Sequence, residues 1–525
     1  MSIRILVADA IAESGMRTLS REPALQVEVK TGLTEAQLVA AIPEYDGLIV
    51  RSATQVTAPV LQAGNRLRIV GRAGIGVDNI DVTAATRRGV VVVNTPMGNV
   101  HSAAEHALAL LLALARNLTL ADRTMRARKW EKSKLTGVEL TGKTLGVVGL
   151  GKVGGHVARV ARALGMGVLA HDPYLSVERA RDLGVQLVEL GHLLEQSDFI
   201  TLHVPLSDKT HHMIGAPEFR LMRKTARLVH CSRGGVVDEV ALVASLRRNE
   251  IAGAALDVFE HEPLGESPLL DLDNVIVTPH LGASTEEAQV KVSQDIAEQF
   301  VAFFRSGSCQ NAVNLVSLSD KRLAAWVDLC EKLGALAVQI GGKHLSGITV
   351  RIAGEIARKE PKLLTIAAVR GALAHCCGER VNLVNACLVA EERGMRVTES
   401  ITNEHPAFVS LVTVELETEA GVKTLAGVVK DETEPHIVRF DRFEVDLKPS
   451  KHMLVCYYPD KPGMVGKVGS TLGNEHINIA RMEVGRTGRG GQAVMILTLD
   501  DPVPAATLEK IRAELQVQET FLVML

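Results

Sequence analysis

Apolar positions in the first hundred residues fall in short clusters separated by stretches of helical period. Val/Ile/Leu-rich runs occur at Ile3 to Ala8, Val27 to Lys30, Leu48 to Arg51, Ile69 to Arg72 and Val90 to Asn94. Short apolar runs alternating with amphipathic segments are the pattern of parallel strands joined by crossover helices. A helical run from Asn99 to Leu118 follows, with Glu105 and His106 near its polar start. The strand pattern then returns more strongly at Thr144 to Gly149, Gly167 to His171, Phe199 to His203, Arg227 to His230, Ala254 to Val258 and Val275 to Val277. A helical stretch, Glu286 to Phe304, ends near Ser306-Gly307 and reads as a return to the first unit, which would make that unit discontinuous.

Beyond residue 315 the pattern changes. Helical periodicity marks Lys321 to Ile340 and Lys362 to His375, and strand-like runs mark Val409 to Glu417 and Val422 to Val429. From His452 to Leu525 the order is strand, Asp-Lys-Pro-Gly loop, helix, strand, Gly-rich turn at Arg486 to Gly491, strand, helix, strand: a βαββαβ unit. At 525 residues, and about 100 to 200 per domain, three or four domains are expected. The divisions are 1–98 with 284–314, 99–283, 315–450 and 451–525.

Composition narrows the function classes. A net charge of -3, from 58 basic and 61 acidic residues, leaves no global excess to hold nucleic acid or an anionic membrane. Seven scattered cysteines suit a reducing cytosol, and the N-terminus lacks the features of a signal peptide. The strongest apolar run, Ala107 to Ala115, is far short of the roughly 20 residues that span a bilayer and predicts a buried helix. The adjacent pairs His211-His212 and Cys376-Cys377 are poorly placed to share one tetrahedral ion, so no metal is expected.

Strand Thr144 to Val148 runs into Gly149-Leu150-Gly151-Lys152-Val153-Gly154, and a helix His156 to Leu164 is predicted after it. Asp172 closes the next strand, 18 residues past Gly154. Together these complete a dinucleotide-binding βαβ fingerprint: a tight turn at Gly149, close approach of a pyrophosphate at Gly151, and helix-to-strand packing at Gly154. The helix N-terminus offers unpaired N–H groups to the phosphates. Asp172 would accept the adenosine ribose hydroxyls and repel a 2′-phosphate, favouring NAD over NADP.

Oxidising a secondary alcohol needs a base for its proton and a cation for its acid group. His280, in Thr278-Pro279-His280-Leu281-Gly282-Ala283, follows a strand and has the intrinsic pKa, about 6.5, to exchange protons near neutrality. Glu262, in Asp257-Val258-Phe259-Glu260-His261-Glu262-Pro263, is placed to orient that imidazole, and Arg233, in Cys231-Ser232-Arg233-Gly234-Gly235, to clamp a carboxylate. In the first unit, Arg51-Ser52-Ala53-Thr54 and Arg72-Ala73-Gly74-Ile75-Gly76-Val77-Asp78 each follow a strand. Two arginines beyond the carboxylate clamp imply a second anionic group such as a phosphate, and bare N–H groups at Gly74 and Gly76 would approach a carboxylate.

These motifs resemble the signatures of the D-isomer-specific 2-hydroxyacid dehydrogenases, strongest over residues 1 to 314. The resemblance implies an α/β architecture: a Rossmann-like nucleotide-binding domain inserted in a flavodoxin-like substrate-binding domain, then an α+β intervening domain and a C-terminal ACT regulatory domain. It implies Arg233, Glu262 and His280 as the catalytic trio. It also implies an NAD site of Gly149, Gly151, Lys152, Val153, Gly154, Asp172, Val204, Cys231, Ser232, Arg233, Asp257, His280, Gly282 and Ala283, and substrate contacts from Arg51, Ser52, Arg72, Gly74 and Ile75. The long members, which the Arg51 and Arg72 loops and the C-terminal extension resemble, oxidise D-3-phosphoglycerate to 3-phosphohydroxypyruvate at the first step of L-serine synthesis. From them follow a cytoplasmic homotetramer, with Trp130 at a subunit contact, and L-serine as an effector held by Tyr458, Asp460 and Asn478 between two paired ACT domains. Hydroxypyruvate or glyoxylate reductases and NAD-sensing corepressors share the fold and are the alternative readings.

Overall fold

The first apolar runs form five parallel strands ordered Leu25–Val29, Ile3–Val7, Gly47–Val50, Ile69–Arg72, Val91–Val93 in the computed structural model. The structure describes residues 2–315, 321–342, 344–377, 381–419, 421–517 and 519–525, without the side chains of Lys321 and Cys377. The expected Cys376-Cys377 pair therefore lies partly outside the described residues. Strand Gly47–Val50 is buried throughout, as a parallel strand covered on both faces should be. The order is that of flavodoxin-like sheets. Helix Glu286–Ser306 lies across one face, where a Cβ on Gly71 would sit 2.4 Å from the Phe300 ring. The chain after it pairs with the sheet edge: the Val313 N–H donates to the Val92 carbonyl at 2.7 Å, and the Val92 N–H to Asn314 Oδ1 at 2.9 Å. The first sheet unit is thus built from two stretches of chain.

Seven parallel strands form the second sheet: Val275–Val277, Gly253–Leu256, Arg227–His230, Phe199–Leu202, Thr144–Val148, Gly167–His171 and Gln186–Leu187. Their order reverses between Thr144–Val148 and Phe199–Leu202, the switch point at which doubly wound sheets bind ligands beyond their carboxyl ends. Helix Val100–Ala115 buries Ala107, Leu108, Leu110, Leu111, Leu114 and Ala115 against this unit. It stops short of the predicted Leu118 because Asn117 turns left-handed (φ 51°) and starts a second helix, Leu118–Arg126. Among the described residues no single helix is long and apolar enough to cross a membrane; these two pass together by length and composition but meet at 64°. The nucleotide-motif helix begins at Lys152, not His156, which puts Gly154 in its first turn.

The C-terminal part holds a six-stranded mixed sheet, Arg396–Thr402, Leu345–Gly354, Ser410–Thr418, Gly421–Lys430, Glu434–Phe440, Phe443–Leu447, and a four-stranded antiparallel one, Ile479–Arg486, Gln492–Leu499, His452–Pro459, Thr520–Met524. Two of the six were legible as strands. One hydrophobic core runs through both sheets: Trp326, Leu333 and Leu336 of helix Lys321–Gly341 share it with Met453, Val455, Ile496 and Val523. The division near residue 450 cuts through this shared core, while the other face of the last sheet has a core of its own, with Leu454, Cys456, Leu472 and Ile511. Asn382 Nδ2 donates to the Gly89 carbonyl at 2.7 Å, tying this part to the first sheet unit.

Candidate active site

The nucleotide cradle is set by backbone. Gly149 has φ +89°, and a Cβ there would meet the His203 carbonyl at 2.6 Å and Val204 Cγ1 at 2.9 Å. A Cβ on Gly154 would lie 2.0 Å from the Gly149 carbonyl, whereas one on Gly151 would point into open space. Only the middle glycine thus faces a volume that a pyrophosphate can enter, directly ahead of the helix Lys152–Ala163. Exposed Lys152 and half-buried Val153 open that helix. Asp172 accepts the Leu150 amide on Oδ2 at 2.8 Å and the Tyr174 amide on Oδ1 at 3.0 Å, so it braces the glycine loop and keeps lone pairs for ribose hydroxyls. These residues fit NAD.

Three loops at the carboxyl ends of the second sheet interlock beside the cradle. A Cβ on Gly234 would stand 1.7 Å from the Phe259 carbonyl, so the loop carrying Arg233 presses against the one carrying Glu262. Glu262 accepts the Phe259 amide on Oε1 at 3.0 Å, and its Oε2 lies 2.7 Å from His280 Nδ1. Burial would push the Glu262 carboxyl up, but the bonds from His280 and Phe259 outweigh it and leave it below its usual range. His280 itself has φ +54° and a side chain 42% exposed, which turns the ring outward from the strand end. Other histidines nearby serve differently: burial pushes His203 and His230 down to about 4, leaving both neutral near pH 7.

Asp257 was expected at the nicotinamide side. Its side chain is 1% exposed and its carboxylate is crowded with partners: His106 Nε2 at 3.1 Å, Thr278 Oγ1 at 2.5 Å, and the Leu281 and Gly282 amides at 2.7 and 2.8 Å. Burial raises it, yet these bonds win and hold it below its ordinary value. It anchors the His280 loop. Gly282 is buried there and Ala283 is half-buried beside it. Burial, with Asp257 adding, pushes the Cys231 thiol up, and Ser232 Oγ lies 3.3 Å from His230 Nδ1.

On the facing sheet, Arg51 follows Val50, whose register partner is Arg72. The two arginines therefore leave neighbouring strands side by side. Asp9 holds the Arg51 loop by the Arg51 and Thr54 amides (2.6 and 3.2 Å), and Asn79 donates to the Arg51 and Thr54 carbonyls. Ser52 is exposed. The Gly74 amide, expected to be bare, donates to the Arg72 carbonyl at 2.9 Å because the chain makes a tight turn; it is the Ile75 and Gly76 amides that have no partner among the described residues. Burial lowers Arg72, Asp78 opposes that, and Arg233 adds to it. The sequence assigned no role to Asp9, Asp78, Asn79, His106 or Thr278, although His106, Asp78 and Thr278 lie in stretches it marked. Asp9 follows the first parallel strand, a position that strand-end reasoning covers.

In the last sheet the expected effector residues do not meet within one chain. Tyr458 is 3% exposed, its ring packed in the core with Met464 and Leu472. Asp460 accepts the Gly490 amide at 3.1 Å and faces Arg486. Asn478 precedes strand Ile479–Arg486 rather than lying on it, and its amide donates to Asp500 at 2.6 Å. Pro459 pairs with Gln492 and Ile479 with Leu499, so Asp460 and Asn478 sit at opposite ends of one strand, roughly 20 Å apart. His211 and His212 stack at 4.0 Å, and no group of three metal-ligating side chains is found among the described residues.

A nucleotide cradle at the switch point, with an imidazole held by a carboxylate and an arginine on adjoining loops, defines an NAD-dependent 2-hydroxyacid dehydrogenase. The model of the D-isomer specific 2-hydroxyacid dehydrogenase NAD-binding domain matches residues 108–282, that of the D-3-phosphoglycerate dehydrogenase intervening domain 322–441, and that of the ACT domain 452–516. The D-3-phosphoglycerate dehydrogenase of Synechocystis sp. is 45% identical over 99% of this chain and 95% of its own, and that of Archaeoglobus fulgidus 43% over 97% of each. The D-lactate dehydrogenase of Aquifex aeolicus, solved with NAD and lactic acid, superposes with a TM-score of 0.53 at 28% identity, covering 59% of this chain and 98% of its own. The chain belongs to the D-3-phosphoglycerate dehydrogenase family.

Proposed function

We propose that this protein oxidises D-3-phosphoglycerate to 3-phosphohydroxypyruvate with NAD, the first step of L-serine synthesis. The observation that carries the chemistry is the 2.7 Å contact between His280 Nδ1 and Glu262. With its Nδ1 proton directed at the carboxylate, the neutral ring offers the Nε2 lone pair, which takes the C2 hydroxyl proton of the substrate. NAD held in the glycine cradle would supply the acceptor for the C2 hydride that leaves as the carbonyl forms. Glu262 stabilises the imidazolium that results. Arg233, with the Ile75 and Gly76 amides, holds the substrate carboxylate, and Arg51 and Arg72 receive its far end.

A phosphate there accounts for the pair of arginines beyond the carboxylate clamp: Asp78 faces Arg72 at 3.4 Å, and an unphosphorylated acid such as glyoxylate brings no anion for Arg51. A panel of D-2-hydroxy acids with NAD, read by absorbance of the reduced cofactor, tests the reading. A far larger kcat/KM for D-3-phosphoglycerate than for D-lactate or D-glycerate is expected, and equal values would defeat it. The enzyme works in the cytoplasm as a homotetramer. L-Serine binds where the Asp460 end of one four-stranded sheet meets the Asn478 end of another, since a single sheet keeps those residues apart.

A further inference from the structure

The loop after strand Ile69–Arg72 carries an acid to the point where two substrate-side cations meet. Asp78 Oδ2 accepts from Arg233 Nε at 3.0 Å and lies 3.4 Å from Arg72 Nη1. One carboxylate oxygen thereby bridges the two parallel sheets, between residues 155 positions apart. Gly76 adds an independent observation: a Cβ there would lie 2.2 Å from Arg233 Nη2 and 2.5 Å from Asp78 Oδ2, so the backbone is cleared for the guanidinium. Arg233 Nη1 also donates to the Ser232 carbonyl at 2.6 Å. Held at Nε and at one Nη1 hydrogen, the planar group is oriented at two points, and Nη2 with the remaining Nη1 hydrogen is left for a ligand.

Stability is a poor reason for this bridge. The Asp78 side chain is 57% exposed, and exposed ion pairs contribute little. Orientation is a better one, because a guanidinium grips a carboxylate through two parallel bonds only when its plane is fixed. Asp78 also supplies the counter-charge that lets two arginines stand together before an anionic substrate arrives.

We propose that Asp78 is the positioning residue of the substrate arginines: it sets the plane of Arg233 for the substrate carboxylate and keeps Arg72 beside it across the cleft. This rests on the assignment of Arg233 to that carboxylate. The test uses full-length enzyme, with D-3-phosphoglycerate varied at saturating NAD and NAD varied at saturating D-3-phosphoglycerate, comparing wild type, Asp78→Ala, Asp78→Asn, Arg233→Lys and the Asp78→Ala/Arg233→Lys double variant. Asp78→Ala is expected to lower kcat/KM about 10- to 100-fold, mostly through KM for the acid, and to leave KM for NAD unchanged. Asp78→Asn, which keeps an oxygen for Nε, recovers part of the loss. In the Arg233→Lys background the same alanine costs less than about threefold, because the fork it orients is gone. An equal cost in both backgrounds, or wild-type kinetics for Asp78→Ala while Arg233→Lys is impaired, overturns the role of Asp78 alone. Wild-type kinetics for Arg233→Lys overturns the Arg233 assignment, and the role of Asp78 falls with it.

Discussion

His280 and Glu262 are half-exposed side chains whose chemistry comes from each other. Replacing His280 with alanine removes the proton acceptor and should lower kcat about 10²- to 10⁴-fold, while NAD affinity measured by fluorescence stays near wild type, since the cradle is backbone. Glu262→Gln tests the partner. Glutamine keeps the shape but loses the charge that stabilises the imidazolium formed during oxidation, so kcat should fall, by less than in His280→Ala, while KM for NAD is unchanged. A wild-type kcat would separate Glu262 from His280. In the wild type the Glu262 carboxyl sits below its ordinary value; its contribution is present above the unfolded pKa, about 4.5, and is lost as pH falls through the folded one. The pair therefore persists through the range in which an imidazole titrates.

Among elements, the helix pair Lys321–Gly341 and Pro361–Cys377 shows how small residues set a close approach. A Cβ on Gly371 would lie 2.0 Å from the Glu331 carbonyl, and one on Gly334 would lie 2.1 Å from the Ala368 carbonyl. Alanine is the better helix former by about 1 kcal/mol, but the clash is with backbone and cannot be relieved by a rotamer. Gly371→Ala should therefore destabilise by about 2 kcal/mol, seen as a lower urea midpoint for the C-terminal part with KM for NAD unchanged. A rise in midpoint would mean that the helices move apart freely. Strand Arg396–Thr402 escaped notice in the sequence. Arg396–Thr402 has no buried residue, so no period-2 apolar signal exists to read.

For the whole molecule, the shared core from Leu323 to Val523 joins the effector-type sheet to the intervening sheet, so a ligand at the last sheet acts on one packed body. Asp441 links the two as well, bonded to the Tyr457 hydroxyl at 2.5 Å. Asn478→Ala should abolish inhibition by L-serine while leaving uninhibited kcat unchanged, checked by initial rates with and without millimolar serine and by calorimetry. Serine that neither binds nor slows the wild type would end the effector assignment and leave the catalytic one standing.

Sequence alone determined what local chemistry can specify. The glycine spacing of residues 149 to 154 demands a tight turn before a helix, apolar runs demand buried parallel strands, and an Arg, a Glu and a His after successive strands share one sheet end because parallel strands align their carboxyl termini. Tertiary structure decided what depends on distant partners. It made Asp257 the anchor of the His280 loop, buried Tyr458, and set Asp460 and Asn478 at opposite ends of a strand. It also brought Asp78 to Arg233 across the cleft. Each of these is a contact between residues far apart in the chain or a consequence of burial, and neither leaves a periodic mark in the sequence.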